Sequence, residues 1–312
     1  RARPHRHTVS RRFGCGVATI MNLFQRLAAR KKLVDTFRLF TTYTPNIHSV
    51  TRNRYVFTIP NGMNPNTLTE HVYVFQQMYG ANVELAGDHK RFTLTLNKNR
   101  LPAKVRYDYA ELAETIEQDR LIFPIVSGAG MDGKVRLYDA TNNPNLLIFG
   151  EPGSGKSSML HAILCTLMQR FSPAELELYL GDFKMSELNI YEGAQHVKSI
   201  SYLPSELAPA LAHIQRQMTA RGELLKEHRV RHINKLPAAK KPPYIMLCID
   251  EFVMIRDDDI MADLLQIASL GRAYGIYLTL SMQRPSHKIL STDVRGVLSV
   301  RMGFKTVDAR NA

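Results

Sequence analysis

The chain has 312 residues, 45% of them hydrophobic and 22% charged, a balance that suits a folded, water-exposed protein of one large or two ordinary domains. Its three cysteines, Cys15, Cys165 and Cys248, stand far apart with no C-x-x-C pair, which argues against a disulfide framework or a zinc site. The net charge of +13 is uneven: residues 1–40 hold ten Lys/Arg against the single acid Asp35, which leaves +4 for all the rest, a basic head on a mildly basic body.

No apolar run approaches the ~20 residues that span a bilayer, and Phe13 to Ile20 is too short and too rich in Gly for a signal-peptide core. Residues 1–40 are read as a basic N-terminal segment, partly disordered over its first 20 residues. Such a head suits phosphate backbones or the cytoplasmic flank of a membrane segment. Residues 21–40 pattern as a basic amphipathic helix with Leu23, Leu27, Val34 and Phe37 among its apolar positions.

A small α+β domain with its connector is expected over 41–118. Arg54 to Ile59 alternates as a strand and ends at Pro60-Asn61-Gly62. Thr67 and Glu70 have capping-box spacing ahead of a helix that Gly80 closes after Tyr79, and Val83 to Leu85 and Arg91 to Leu96 alternate again. Tyr107 to Arg120 is an acidic helical connector. From 119 to 312 strands and helices alternate, the mark of a mainly parallel α/β sheet. Strands are expected at Leu146–Phe149, Leu176–Leu180, Tyr244–Ile249, Ile276–Met282 and Val297–Phe304, and helices at Lys156–Arg170, Glu206–Arg229 and Ile260–Ala273.

Gly150-Glu151-Pro152-Gly153-Ser154-Gly155-Lys156-Ser157 is a G-x-x-x-x-G-K-S loop between an apolar strand and a helix, where a phosphate cradle requires it. Its glycines let backbone N–H groups turn toward phosphates, and the helix behind it adds partial positive charge, with Ser158 in its first turn. Lys156 is placed to reach the β- and γ-phosphates of ATP, and the Ser157 hydroxyl to ligate Mg²⁺. Downstream, the apolar run Tyr244 to Ile249 delivers Asp250-Glu251: Asp250 to hold Mg²⁺ through water, Glu251 to act as general base on the attacking water. The strand Ile276–Met282 ends at Gln283, positioned as a γ-phosphate sensor. Two readings stand for Arg272: an arginine finger for a neighbouring subunit, or a cation that suits a helix C-terminus. His161 reads as packed or hydrogen-bonded, Arg216 and Arg221 as solvated, and two readings stand for Asp182 and Lys184 on the nucleotide edge of the sheet: transmitters of nucleotide state, or a structural ion pair. Asp257-Asp258-Asp259 reads as a helix N-terminal cap.

Four segments resemble the FtsK/SpoIIIE DNA translocases of the FtsK–HerA group: Leu137 to Ser158, Gly181-Asp182-Phe183-Lys184 (with Phe183 where the family has Pro), Tyr244 to Phe252, and Ala268 to Pro285; Arg301 to Arg310 resembles the segment that follows. The resemblance implies a RecA-like P-loop NTPase motor over 119–312, preceded by the small α+β domain. It implies a homo-oligomeric, hexameric ring that pumps DNA with ATP hydrolysis. It also favours Arg272 as the arginine finger and Gln283 as the sensor. A short N-terminal unit with a compact motor is most similar to coupling proteins of conjugative elements. For those the resemblance implies a relaxase and membrane-channel components as partners, and a place at the inner, cytoplasmic face of the cell membrane. Chromosome segregation and type VII-like protein secretion are the alternatives, the latter marked by tandem P-loops where one is present here. A first residue other than Met, and an end at Ala312 inside a motif, lead to the expectation that the sequence is a piece of a longer protein.

Overall fold

The computed structural model describes residues 21–80, 82–97, 104–130, 132–283 and 292–306. The first 20 residues of the basic segment, the motif beyond Gln283 through Pro285, and everything after Thr306 lie outside the described residues. The chain divides into two compact units, one within Arg1–Pro102 and one within Ala103–Ala312. The basic helix falls in the first unit and the acidic helix in the second.

In the first unit, α1 (Leu23–Arg38) opens on an Asn22/Gln25 capping box. It is followed by β1 (Asn46–Val50), β2 (Arg54–Thr58), α2 (Asn66–Glu70), α3 (Val72–Tyr79), β3 (Val83–Gly87) and β4 (Arg91–Leu96). The strands form an antiparallel sheet in the order β1-β2-β4-β3. Its core is aromatic: Phe37 meets Phe57 and Phe75 edge-on, with ring centroids 5.4 and 5.8 Å apart, an arrangement the ring quadrupoles favour.

Two expectations fail here. The buried face of α1 is Leu33, Thr36 and Phe37, while Leu23 and Leu27 are exposed. The expected capping box at Thr67 and Glu70 does not form, because Thr67 lies inside α2, whose N-cap is Pro65 with no side chain able to cap. The chain breaks at His71 into two short helices instead of one.

The second unit runs α4 (Tyr109–Asp119), β5 (Pro124–Ala129), β6 (Val135–Asp139), β7 (Asn145–Phe149), α5 (Lys156–Arg170), β8 (Leu176–Asp182) and β9 (Val197–Ser201). It continues through α6 (Leu207–Glu227), β10 (Tyr244–Asp250), α7 (Asp258–Leu270), β11 (Ile276–Met282), α8 (Thr292–Val297) and β12 (Val300–Gly303). β5 and β6 form an antiparallel hairpin. The other six strands form an all-parallel sheet in the order β12-β7-β11-β10-β8-β9.

Helices cover both faces, which is why the central strands read as unbroken apolar runs. In β10 the alternation sorts side chains between two cores: Ile245, Leu247 and Ile249 pack toward α6 and α7, and Tyr244, Met246 and Cys248 pack toward α5. Asp257 caps α7 by accepting from the amides of Asp259 and Ile260, as its position in the acidic run implied. No helix among the described residues is long and apolar enough to cross a membrane.

Candidate functional site: a phosphate cleft at the carboxyl ends of the strands

β7, β10, β8 and β11 all run in one direction, so their carboxyl ends share one edge of the sheet. Loops leaving that edge build a cleft of about 370 Å³ with Glu151, Lys156, Ser157, Lys184, Asp250 and Gln283 among its walls. On one side the loop from Gly150 to Gly155 wraps into the start of α5. Gly155 serves as N-cap at φ 104°, a left-handed conformation that a Cβ would strain. At Gly150 the constraint is contact: a Cβ would come within 2.5 Å of Phe304 Cβ, since the segment after β12 runs alongside the loop. Phe304 and Glu151 fix that approach through Phe304 N–H to Phe149 O (2.8 Å) and Glu151 N–H to Lys305 O (3.0 Å).

On the other side, β10 ends in Asp250 and Glu251, which are 2% and 4% exposed. Lys156, itself buried, places Nζ 2.5 Å from Asp250 Oδ1 and 3.6 Å from Glu251 Oε1. Ser281, on the strand between β7 and β10, donates to Asp250 and lies 3.2 Å from Lys156 Nζ. Glu251 takes a left-handed backbone at φ 53°, rare for a residue with a Cβ, where the strand turns sharply so that Phe252 can enter the core. Its Oε1 lies 3.0 Å from Lys184 Nζ. Beneath this cluster, burial first and the Asp250 charge second push the Cys248 thiol up.

The structure thus brings together Gly150 to Ser158, Asp250, Glu251 and Gln283. It does not bring Arg272 to them. Arg272 lies in the 3₁₀ turn Gly271–Tyr274, ahead of β11, and bonds Thr141 O through Nε at 2.7 Å. That is the amino-end edge of the sheet, roughly 20 Å from the cleft by the length of a seven-residue strand.

Asp182 and Lys184 do not pair with each other: the Asp182 carboxylate accepts from the amides of Ser186, Glu187 and Leu188, and Lys184 turns to Glu251. Arg221, expected in solvent, is 2% exposed and donates to Tyr274 O, and burial lowers its guanidinium to about 10. His161 shares a 2.9 Å hydrogen bond with the Tyr191 hydroxyl, so it is tied into the helix packing as expected. Ser281 was missed. Its signal is the alternation of Tyr277, Thr279 and Ser281 in an otherwise aliphatic strand, where a small hydroxyl at the carboxyl end marks a polar neighbour.

A glycine-lined cradle at a helix N-terminus, a buried lysine and an acid pair at the adjacent strand ends define a P-loop ATPase fold of the RecA-like kind. Residues 110–241 match the FtsK/SpoIIIE family, a span that includes the phosphate loop and ends before Asp250. The chain is 30% identical over 219 residues to the DNA translocase FtsK of Streptomyces coelicolor, an alignment covering 64% of this chain and 24% of that protein. It therefore spans about a quarter of that relative's length. The second unit is similar to the FtsK/SpoIIIE family over these residues.

Among solved structures, the monomer of the pCW3 conjugation coupling protein TcpA with ATPγS matches at TM-score 0.56 and 19% identity, covering 88% of this chain and 82% of that one. The cytoplasmic domain of the Thermomonospora curvata type VII secretion ATPase EccC matches at TM-score 0.53 and 25% identity, covering 61% of this chain and 24% of that one.

Proposed function

We propose that this chain is the motor portion of an ATP-driven DNA translocase. The observation that carries the reading is the pairing of Lys156 with Asp250 and Glu251 inside a phosphate-sized cleft, in a unit whose family includes DNA translocases. The residues present suit Mg²⁺-ATP. The Ser154 hydroxyl is buried without a partner, and a Cβ on Gly153 would meet open space, so this part of the loop has polar capacity and room to spare. The donor set divides by charge. The amides opening α5 and the Lys156 ammonium suit phosphate oxygens, and the Ser157 hydroxyl and Asp250 carboxylate suit a hard cation. Bound Mg²⁺ supplies charge that neutralises the phosphate oxygens. Glu251 orients and deprotonates the attacking water, and Gln283 contacts the terminal phosphate. A larger cavity of about 860 Å³ shares Gly153, Gly155 and Ser158 with the loop and reaches Val135, Met302 and Phe304, an apolar wall for the nucleoside.

Arg272 lies on the opposite edge of the sheet from its own cleft, which supports its acting on the ATP of a neighbouring copy, as in a hexameric ring. DNA contact is mainly to phosphates, so it falls steeply with salt and carries little sequence preference. The finer reading is a coupling protein for conjugative transfer, working at the inner face of the membrane with a relaxase and channel components. The division of the chain into a small α+β unit and an ATPase unit supports it.

The test is ATP hydrolysis with and without double- and single-stranded DNA across a salt series. Stimulation that fades with salt is expected. In the same assay Lys156→Ala loses nucleotide binding, and Glu251→Gln binds but does not turn over. Absence of stimulation at every salt concentration overturns the reading, and stimulation by protein substrates alone transfers it to secretion.

A further inference from the structure

Lys184 is the one ion-pair partner of Glu251 that the P-loop chemistry leaves without a task. It is held by a built turn: Asp182, fully buried at the end of β8, accepts three successive amides from Ser186 to Leu188. Met185 adopts a left-handed backbone at φ 54°, and Phe183 anchors the turn in the core. This turn delivers the Lys184 ammonium into the same cleft as Lys156 and Gln283, 3.0 Å from Glu251 Oε1. The Lys184 side chain is 37% exposed, whereas Glu251 is buried.

An ammonium at a carboxylate oxygen takes up acceptor capacity there and weakens the carboxylate as a base toward water. The cluster is also balanced as it stands, two lysines against Asp250 and Glu251. A nucleoside triphosphate introduces a terminal phosphate more negative than a carboxylate, and an ammonium at the edge of the cleft follows the larger charge.

Resting on the nucleotide-binding reading above, we infer that Lys184 is a partner-exchanging cation that distinguishes triphosphate from diphosphate. It pins Glu251 in the arrangement seen here and transfers to the terminal phosphate of a bound nucleoside triphosphate. The same move frees Glu251 to engage water. Coupling between the two events lies in one ammonium having two alternative acceptors, so base activation follows the presence of the phosphate to be cleaved.

The test is equilibrium binding of ATPγS and ADP, each with Mg²⁺, to the full chain and its variants. Lys184→Met is expected to weaken ATPγS by about tenfold, the size of one charge-assisted bond, and to leave ADP unchanged. Lys184→Arg restores most of the preference, which separates charge from packing. Glu251→Gln, which removes the competing negative charge, is expected to tighten ATPγS and not ADP. That gain disappears in the Lys184→Met/Glu251→Gln double variant, a non-additivity that a merely structural lysine does not produce. An unchanged ATPγS-to-ADP ratio in Lys184→Met overturns the inference, and so does additivity of the two substitutions. Failure of the unsubstituted chain to bind either nucleotide overturns the underlying reading along with it.

Discussion

Lys156 shows how a residue read correctly by type takes a partner the motif does not name. Its spacing assigns it to phosphate, yet here its ammonium is buried between Asp250 and Glu251. Removing it leaves the buried Asp250 and Glu251 carboxylates without that cation. Lys156→Met is therefore expected to lower stability by about 3 kcal/mol, the scale of a broken buried pair. Adding Asp250→Asn recovers most of that loss. Urea unfolding of the single and double variants checks this, and a Lys156→Met midpoint equal to that of the parent contradicts it. The P-loop itself was legible because glycine at left-handed positions and a lysine opening a helix leave a pattern in sequence. Ser281 and the Lys184–Glu251 contact were not, because they depend on which strands become neighbours.

At the scale of elements, legibility followed burial. β7, β8, β10 and β11 announced themselves as apolar runs because both their faces are covered. β1 and β9 went unread: each is an edge strand with a register irregularity and mixed polar residues, Asn-Ile-His-Ser-Val and Val-Lys-Ser-Ile-Ser. The β5–β6 hairpin is interrupted in register between Val126 and Gly128, which erases a clean period of two.

Helix α6 held a signal that was passed over. Its buried stripe of Leu207, Leu211, Ile214, Met218 and Leu225 steps by three and four, and the position that completes it between Met218 and Leu225 is Arg221. The periodicity therefore points Arg221 inward, against its residue type. Inside, Nη1 donates to Tyr274 O, while Nε and Nη2 have no partner. A long apolar side chain there avoids the desolvation but releases the carbonyl. Arg221→Met is expected to change global stability by less than about 1 kcal/mol. Amide exchange in the turn Gly271–Gly275 should rise about tenfold, since one net hydrogen bond to a charged donor is lost. Exchange measured by mass spectrometry checks this, and an unchanged turn contradicts the role given to the guanidinium.

At the scale of the whole molecule, parallel topology separates two chemistries by the length of a strand. Carboxyl ends gather the phosphate loop, the acid pair and Gln283; amino ends carry Arg272, an exposed residue whose Nε is bonded to Thr141 O. In the proposed ring, the cleft on one edge of a copy would take the Arg272 guanidinium from the opposite edge of the next. The sequence already sets the strand Ile276–Met282 between Arg272 and Gln283, which puts the two at its opposite ends.

The most direct test of the central claim, that DNA-driven ATP turnover occurs where one copy meets the next, is complementation. Lys156→Ala and Arg272→Ala chains are assayed for DNA-stimulated hydrolysis separately and after mixing. The account predicts that each is inactive alone and that the mixture regains stimulated turnover, because an intact cleft on one copy then meets an intact Arg272 on the other. Parental turnover by Arg272→Ala alone, or a mixture as inactive as its components while the unsubstituted chain is stimulated by DNA, contradicts it.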